Sequence, residues 1–136
     1  MKAIGFEKIE QLTHEPADFI VPALSPDGST IAFARPGGDR LGMFSIPARG
    51  GAERKLADAN LDLPGFMSLG WSPDGRHLVY STTEGIRLVT TETGEVRPVD
   101  TGRCESYAAA FSPDGKWIAF TCGVSGTYYL PREKRA

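Results

Sequence analysis

The chain has 136 residues, enough for one domain and one sizeable core. A net charge of -2 leaves no basic face for a nucleic-acid backbone, and no stretch approaches the roughly 20 apolar residues of a membrane span. Sixteen glycines and ten prolines, with 40% hydrophobic and 24% charged residues, indicate a turn-rich globular β protein rather than long helices.

In chain order, the N-terminus MKAIGFEKIEQL is interrupted by Glu7, Lys8 and Glu10, so it lacks the apolar core of a signal peptide. As written, it predicts a chain that is not exported. FEKIEQL (6–12) reads as a short polar strand. FIVPAL then leads into Ser25-Pro26-Asp27-Gly28, and STIAFAR follows. LGMFSIPARGG (41–51) supplies a third apolar run and a turn, and AERKLAD (52–58) a fourth, more polar run. The order then repeats. FMSLGW leads into Ser72-Pro73-Asp74-Gly75 and RHLVYST, followed by GIRLVTTETG (85–94) and EVRPVD (95–100). A third unit has SYAAAF, Ser112-Pro113-Asp114-Gly115 and KWIAFTC, then GTYYL (126–130), and closes on PREKRA.

The tetrapeptide SPDG thus recurs at spacings of 47 and 40 residues, a period that belongs to solenoids, propellers or arrays. Its chemistry is that of a hairpin tip. Proline presets φ at the first central position, aspartate suits the second, glycine takes the left-handed position, and serine braces the backbone. The flanking runs are β-branched and aromatic, and no segment sustains a 3.6-residue period. Four antiparallel strands in 40–47 residues make one propeller blade. With the glycine placed as a bulge, the register sets Ala110 opposite Ile118 and Ala108 opposite Phe120. Phe111, Trp117, Ala109 and Ala119 then fall on the other face. Apolar residues on both faces predict sheets stacked on both sides.

These residues give a specific resemblance. SPDG followed by an IAF-like run, with GGAERKLA ending a unit, resembles the TolB-type, WD-like propeller repeat, and QLTHEPADFIVPALSPDG resembles its blade junction. The resemblance implies an all-β fold of three four-stranded antiparallel blades over residues 1–136. The units are about 14–58, 59–100 and 101–131, with 5–13 as a spare outer strand. Three blades do not close a ring by themselves. The expectation is therefore a fragment of a larger propeller, or one half of a six-bladed ring in which two copies each donate a first strand. The resemblance implies a module for binding or scaffolding a protein or peptide, without catalysis, cofactor or metal. It leaves two alternatives open: the substrate-gating propeller of a prolyl oligopeptidase-like serine hydrolase, and the sensor domain of a bacterial kinase or winged-helix regulator. GGDRLGMFSIPARGGAERKLAD most resembles the sensor group. Family members are often periplasmic.

Candidate sites are few. Asp27, Asp74 and Asp114 read as turn residues before they read as a ring of carboxylates. His14 and His77 have no neighbouring ligand cluster, so no zinc site is expected. Cys104 and Cys122 form a diagonal pair at marginal distance for a disulfide, and two packed, reduced cysteines are expected. Ser125, in GVSGT, lacks the spacing of a nucleophile elbow, and no phosphate-cradling loop is present. Arg35, Arg40, Arg87 and Arg103 lie in or near loops, where an arginine could anchor a peptide or carboxylate.

Overall fold

The computed structural model describes residues 11–14, 20–36, 41–58, 66–82, 84–102, 106–122 and 126–131. The spare strand at 5–13 therefore lies outside the described residues except for Gln11, Leu12 and Thr13, which are not in a strand. Arg40, Arg103, Cys104 and Ser125 lie outside them as well.

Three antiparallel sheets follow one another along the chain. The first blade is β1 (Ile20–Leu24), β2 (Thr30–Pro36), β3 (Leu41–Pro47) and β4 (Arg54–Asp58), hydrogen-bonded in that order. The second is β5 (Phe66–Trp71), β6 (His77–Thr82), β7 (Gly85–Thr90) and β8 (Val96–Pro98), again in order. The third contains β9 (Ser106–Phe111), β10 (Trp117–Cys122) and β11 (Gly126–Pro131), three strands among the described residues. The first strands of the blades lie side by side, β5 touching both β1 and β9. This is the all-β blade architecture expected from the repeat.

The repeated tetrapeptide builds the same tip each time. The glycine N–H donates to the serine carbonyl at 2.9 Å in all three turns, and Gly28, Gly75 and Gly115 hold φ of 73°, 72° and 71°. The serine hydroxyl donates to the aspartate, at 2.7 Å from Ser25 and 2.6 Å from Ser72 and Ser112. The same hydroxyl accepts the N–H five residues on, from Thr30, His77 and Trp117, at 3.0 Å. The aspartate accepts the N–H two residues on, from Ser29, Arg76 and Lys116. One serine and one aspartate thus satisfy the backbone groups that a sharp reversal leaves without strand partners.

The expected register needs correction. The serine N–H bonds the carbonyl five residues on, so each tip is a four-residue loop without a glycine bulge. In the third blade Phe111 pairs with Ile118 and Ala109 with Phe120, one residue away from the expected pairs. The bulge lies deeper, where the register shifts between Phe120 and Thr121 and Ala108 takes φ of 43°. The first blade has a matching bulge between Ile20 and Ala23, with Val21 at φ 48°, and the second is irregular between Phe66 and Ser68. A bulge increases local twist, which first strands converging on a common axis require.

The second and third blades each pack the apolar face of their second strand onto the blade before. Leu78 and Tyr80 of β6 bury against Ala32, Ala34 and Met43 of the first blade. Ile118 and Phe120 of β10 bury against Val79, Ile86 and Leu88 of the second. The corresponding Ile31 and Phe33 of β2 pack with Phe44 and Ile46 against Leu12 and Ala48. The small face of the third blade is exposed, with Trp117 41% accessible.

Candidate functional site

Strand direction divides the described turns between two ends. The SPDG tips share one end with the turns joining β3 to β4 and β7 to β8. The last residues of β2 and β6 and the first of β3 and β7 lie at the other, and Arg35 and Arg87 lie toward that second end.

Arg35 is engaged internally. Its Nε and one terminal nitrogen lie 3.0 and 2.8 Å from one carboxylate oxygen of Glu53, and its guanidinium stacks 3.9 Å from the centre of the Phe44 ring. That ring lies over Gly42, where a Cβ would come within 2.6 Å of it. The arginine therefore clamps a packed aromatic on the face turned away from the second blade. Arg87 stands opposite Tyr80, on the face turned toward the first blade, with Glu84 3.8 Å from its guanidinium. Burial pushes the Tyr80 hydroxyl up to about 12, against a smaller downward pull from the Arg87 charge. The structure does not bring Arg35 and Arg87 together.

Cys122 is disulfide-bonded, which corrects the expectation of a reduced pair; the chain's other cysteine is Cys104. His14 is exposed and His77 begins β6. Among the described residues no three histidine, cysteine or acidic side chains converge on a metal position.

Among the described residues the SPDG end holds a concavity between the first and second blades. This cleft has a volume of about 670 Å3. Ser25, Pro26 and Asp27 of one tip form one lip, and Pro73, Asp74 and Gly75 of the next form the other. On its inner side the Trp71 indole N–H donates to the Ala23 carbonyl at 2.8 Å. On its outer side an Arg54 terminal nitrogen donates to the Thr91 carbonyl at 3.1 Å. Close approach of the β7–β8 turn to β4 needs Gly94, since a Cβ there would lie 2.5 Å from the Leu56 carbonyl oxygen. Asp27 stays ionised: the N–H of Ser29, then the hydroxyls of Ser25 and Ser29, hold its carboxyl down at about 2. The Ser112 hydroxyl and Lys116 N–H likewise lower Asp114.

Sequence reasoning found the lips of this cleft and missed its walls. Arg54 lies in the first repeat, and Trp71 lies 20 residues before Thr91, which Glu92 follows, in the second, so no local motif contains them. The one usable signal was the glycine of TETG, which marks a tight turn.

No family model matches the chain. It is similar to an uncharacterized peptidase, YuxL, of Bacillus subtilis, with 25% identity over 78% of this chain and 22% of that protein. It is also similar to a TolB homolog of Chlorobium luteolum, with 30% identity over 87% of this chain and 27% of the relative. The chain thus spans about a quarter of the length of these two relatives. The solved TolB of Acinetobacter baumannii superposes with a TM-score of 0.73 at 17% identity, covering 99% of this chain and 35% of that one. A TolB-named structure from Agrobacterium tumefaciens gives 0.66 at 24% identity, covering 83% and 42%. Among the described residues no helix is long and apolar enough to cross a membrane. Repeat, strand order and structural likeness agree: the chain is built of TolB-like β-propeller blades.

Proposed function

We propose that the chain is a non-catalytic propeller module that presents loop-bearing ends to a protein or peptide partner. One observation carries this reading: the strands are buried on both faces where blades stack, while the described turn residues at the SPDG end stand mostly exposed. Rigid strands that hold exposed loops are the usual platform for recognition. Arg87, partly exposed near the β6–β7 turn, and the SPDG tips are the contact positions in this reading. The small-residue face of the third blade would receive the large face of a further blade, and a second copy completing a six-bladed ring would supply one. A photo-activated cross-linker placed in turns and, separately, at exposed strand positions tests the first part. Discrete adducts from turn positions alone support a loop-presenting module. Adducts from strand positions alone sink it. Light scattering tests the second part, since a homodimer has twice the 14.7 kDa mass.

A second reading has one observation in its favour, the similarity to a relative named as a peptidase. In it these blades gate substrates for a serine hydrolase domain. It requires a G-x-S-x-G segment downstream in the parent gene, and sequencing that region decides it.

A further inference from the structure

We infer that two copies of this chain pair through the forward face of the third blade and the rear face of the first, with Trp117 of one copy seated against Leu24 of the other in each of two identical seams. Forward is the side on which the next blade stacks, and rear the opposite side. The inference deepens the module reading and rests on it for what the closed ring presents; the contact itself rests on positions that repeat from blade to blade.

The two seams inside the chain fix which positions meet. The residue before each tip serine pairs across its hairpin with a large apolar residue: Leu24 with Ile31, Trp71 with Leu78, and Phe111 with Ile118. Trp71 and Phe111 pack into the first and second seams, so this position points to the rear. Leu24 holds it in the first blade, opposite Ile31 of the rear cluster, and is 60% exposed. Thr30, His77 and Trp117 open the second strands of their blades. Ile118 buries to the rear, so strand alternation turns Trp117 forward, 41% exposed. In the first seam the equivalent positions meet, since Thr30 and Trp71 line one cleft. A single exposed apolar side chain needs no explanation. Here, among the described residues, two of the three large exposed ones hold the two mating positions.

The surroundings match as well. Ala110 pairs with Ala119 in the third blade as Ala23 pairs with Ala32 in the first. Ala32 is fully buried beneath the second blade, whereas Ala110 is exposed. The third blade thus offers the same small floor that the first seam covers. Sizes compensate across it: the first seam sets Trp71 against Thr30, and the new one sets Leu24 against Trp117. The outer part of the rear face is already filled. Leu12 stands 13 residues before Ser25, as Val99 stands 13 before Ser112. Val99 shares a cluster with Ile118 and Phe120, and Leu12 packs on the cluster of Ile31 and Phe33. Leu12 therefore fills the outermost place of a preceding blade, and a third blade of three strands leaves that place to it. Each copy offers one forward and one rear face, so two copies form two such seams and close at six blades, within the range of known rings.

The test is a size swap on the 136-residue chain, read by light scattering and sedimentation. The parent chain is expected at twice 14.7 kDa. Trp117→Thr leaves a gap in both seams and Leu24→Trp overfills both, so each alone should weaken pairing by about ten-fold or more. Mixed in equal amounts, the two variants should pair with each other. One seam of that mixed dimer sets a tryptophan against a threonine, as the first seam does, and the other is the parent seam. Both side chains are exposed in a single chain, so dilute, dissociated variants should melt as the parent does. Should either variant not fold, Trp117→Lys and Leu24→Lys, which bring a charge into the seam, replace it in the weakening test. A monomer at every concentration, a larger open-ended assembly, a dimer indifferent to both substitutions, or a mixture that does not recover pairing overturns the inference. If that happens while cross-links from turn positions persist, the pairing fails and the module reading stands. If the swap succeeds and adducts come from strand positions alone, the module reading fails and the pairing stands.

Discussion

The seam between the first and second blades and the seam between the second and third use one repeat and close in different ways. Both bury Leu or Ile with Tyr or Phe of a second strand against smaller residues of the preceding blade. In the second seam the inner strands are joined by a hydrogen bond: Ser68 Oγ accepts the Ala109 N–H at 2.9 Å while sharing a 2.6 Å bond with Ser81 Oγ. In the first seam the inner join is made by a side chain, Trp71, reaching the Ala23 carbonyl. The two joins sit at different depths: Ser68 lies four residues before the serine of its tip and Trp71 one. The same stacking rule thus accommodates different side chains between the inner strands, with Val21 in the first blade where the second has Ser68, and Phe111 in the third where the second has Trp71.

The largest expected effect tests what the seams share. Phe120→Ala removes a buried ring from the second seam and should cost about 3–5 kcal/mol in denaturant unfolding. Trp117→Ala, on the exposed face of the same strand, should cost under about 1 kcal/mol. Equal costs would mean that the third blade is not docked as described.

Gly94→Ala probes how the first seam is closed at its outer side. Gly94 combines φ of 75° with a Cβ position 2.5 Å from a backbone oxygen, so strain and overlap both act, and a loss of about 3 kcal/mol is expected. Gly75→Ala has the strain, at φ of 72°, without the overlap, and should cost about 1 kcal/mol. If the two variants unfold alike, the blades do not approach at Gly94.

Ser68→Ala sharpens the comparison at the inner strands. It leaves the Ala109 N–H without its acceptor and should cost about 1–2 kcal/mol. Trp71→Phe removes the donor to Ala23 and shortens the ring system, and should cost about 1–2 kcal/mol, with a smaller change in the second seam than in the first by amide exchange.

How much of this was legible in the residues follows from range. The SPDG tips, the blade order and the double-sided burial were readable, because serine, proline, aspartate and glycine act within five residues of one another. The register was misread by one between the tip and Phe120, because the extra residue was placed at the glycine of the tip and not at Ala108, where alanine gives no hint of φ 43°. The cleft was unreadable for a different reason. Its walls pair Trp71 with Ala23 and Arg54 with Thr91, 48 and 37 residues apart, and nothing in either repeat specifies the other.

The smallest effect concerns the tips, where the first seam's cleft opens. Asp27 has a carboxyl held at about 2 in the folded chain against 3.8 for the free side chain, so its depressed value adds stability above the free value. That contribution is fully present above about pH 5 and is lost as pH falls through 3.8 toward 2. Asp114 is lowered in the same direction by Ser112, so the third tip should follow the same course. Asp27→Asn removes the titrating group while keeping an oxygen that can accept the Ser29 N–H. Thermal unfolding between pH 5 and pH 2 should therefore fall less steeply in Asp27→Asn than in the parent chain. Parallel curves would show that the carboxylate of the first tip does not gain its charge-state preference from the turn, and would remove the fixed negative charge from that lip of the cleft as a consequence of folding.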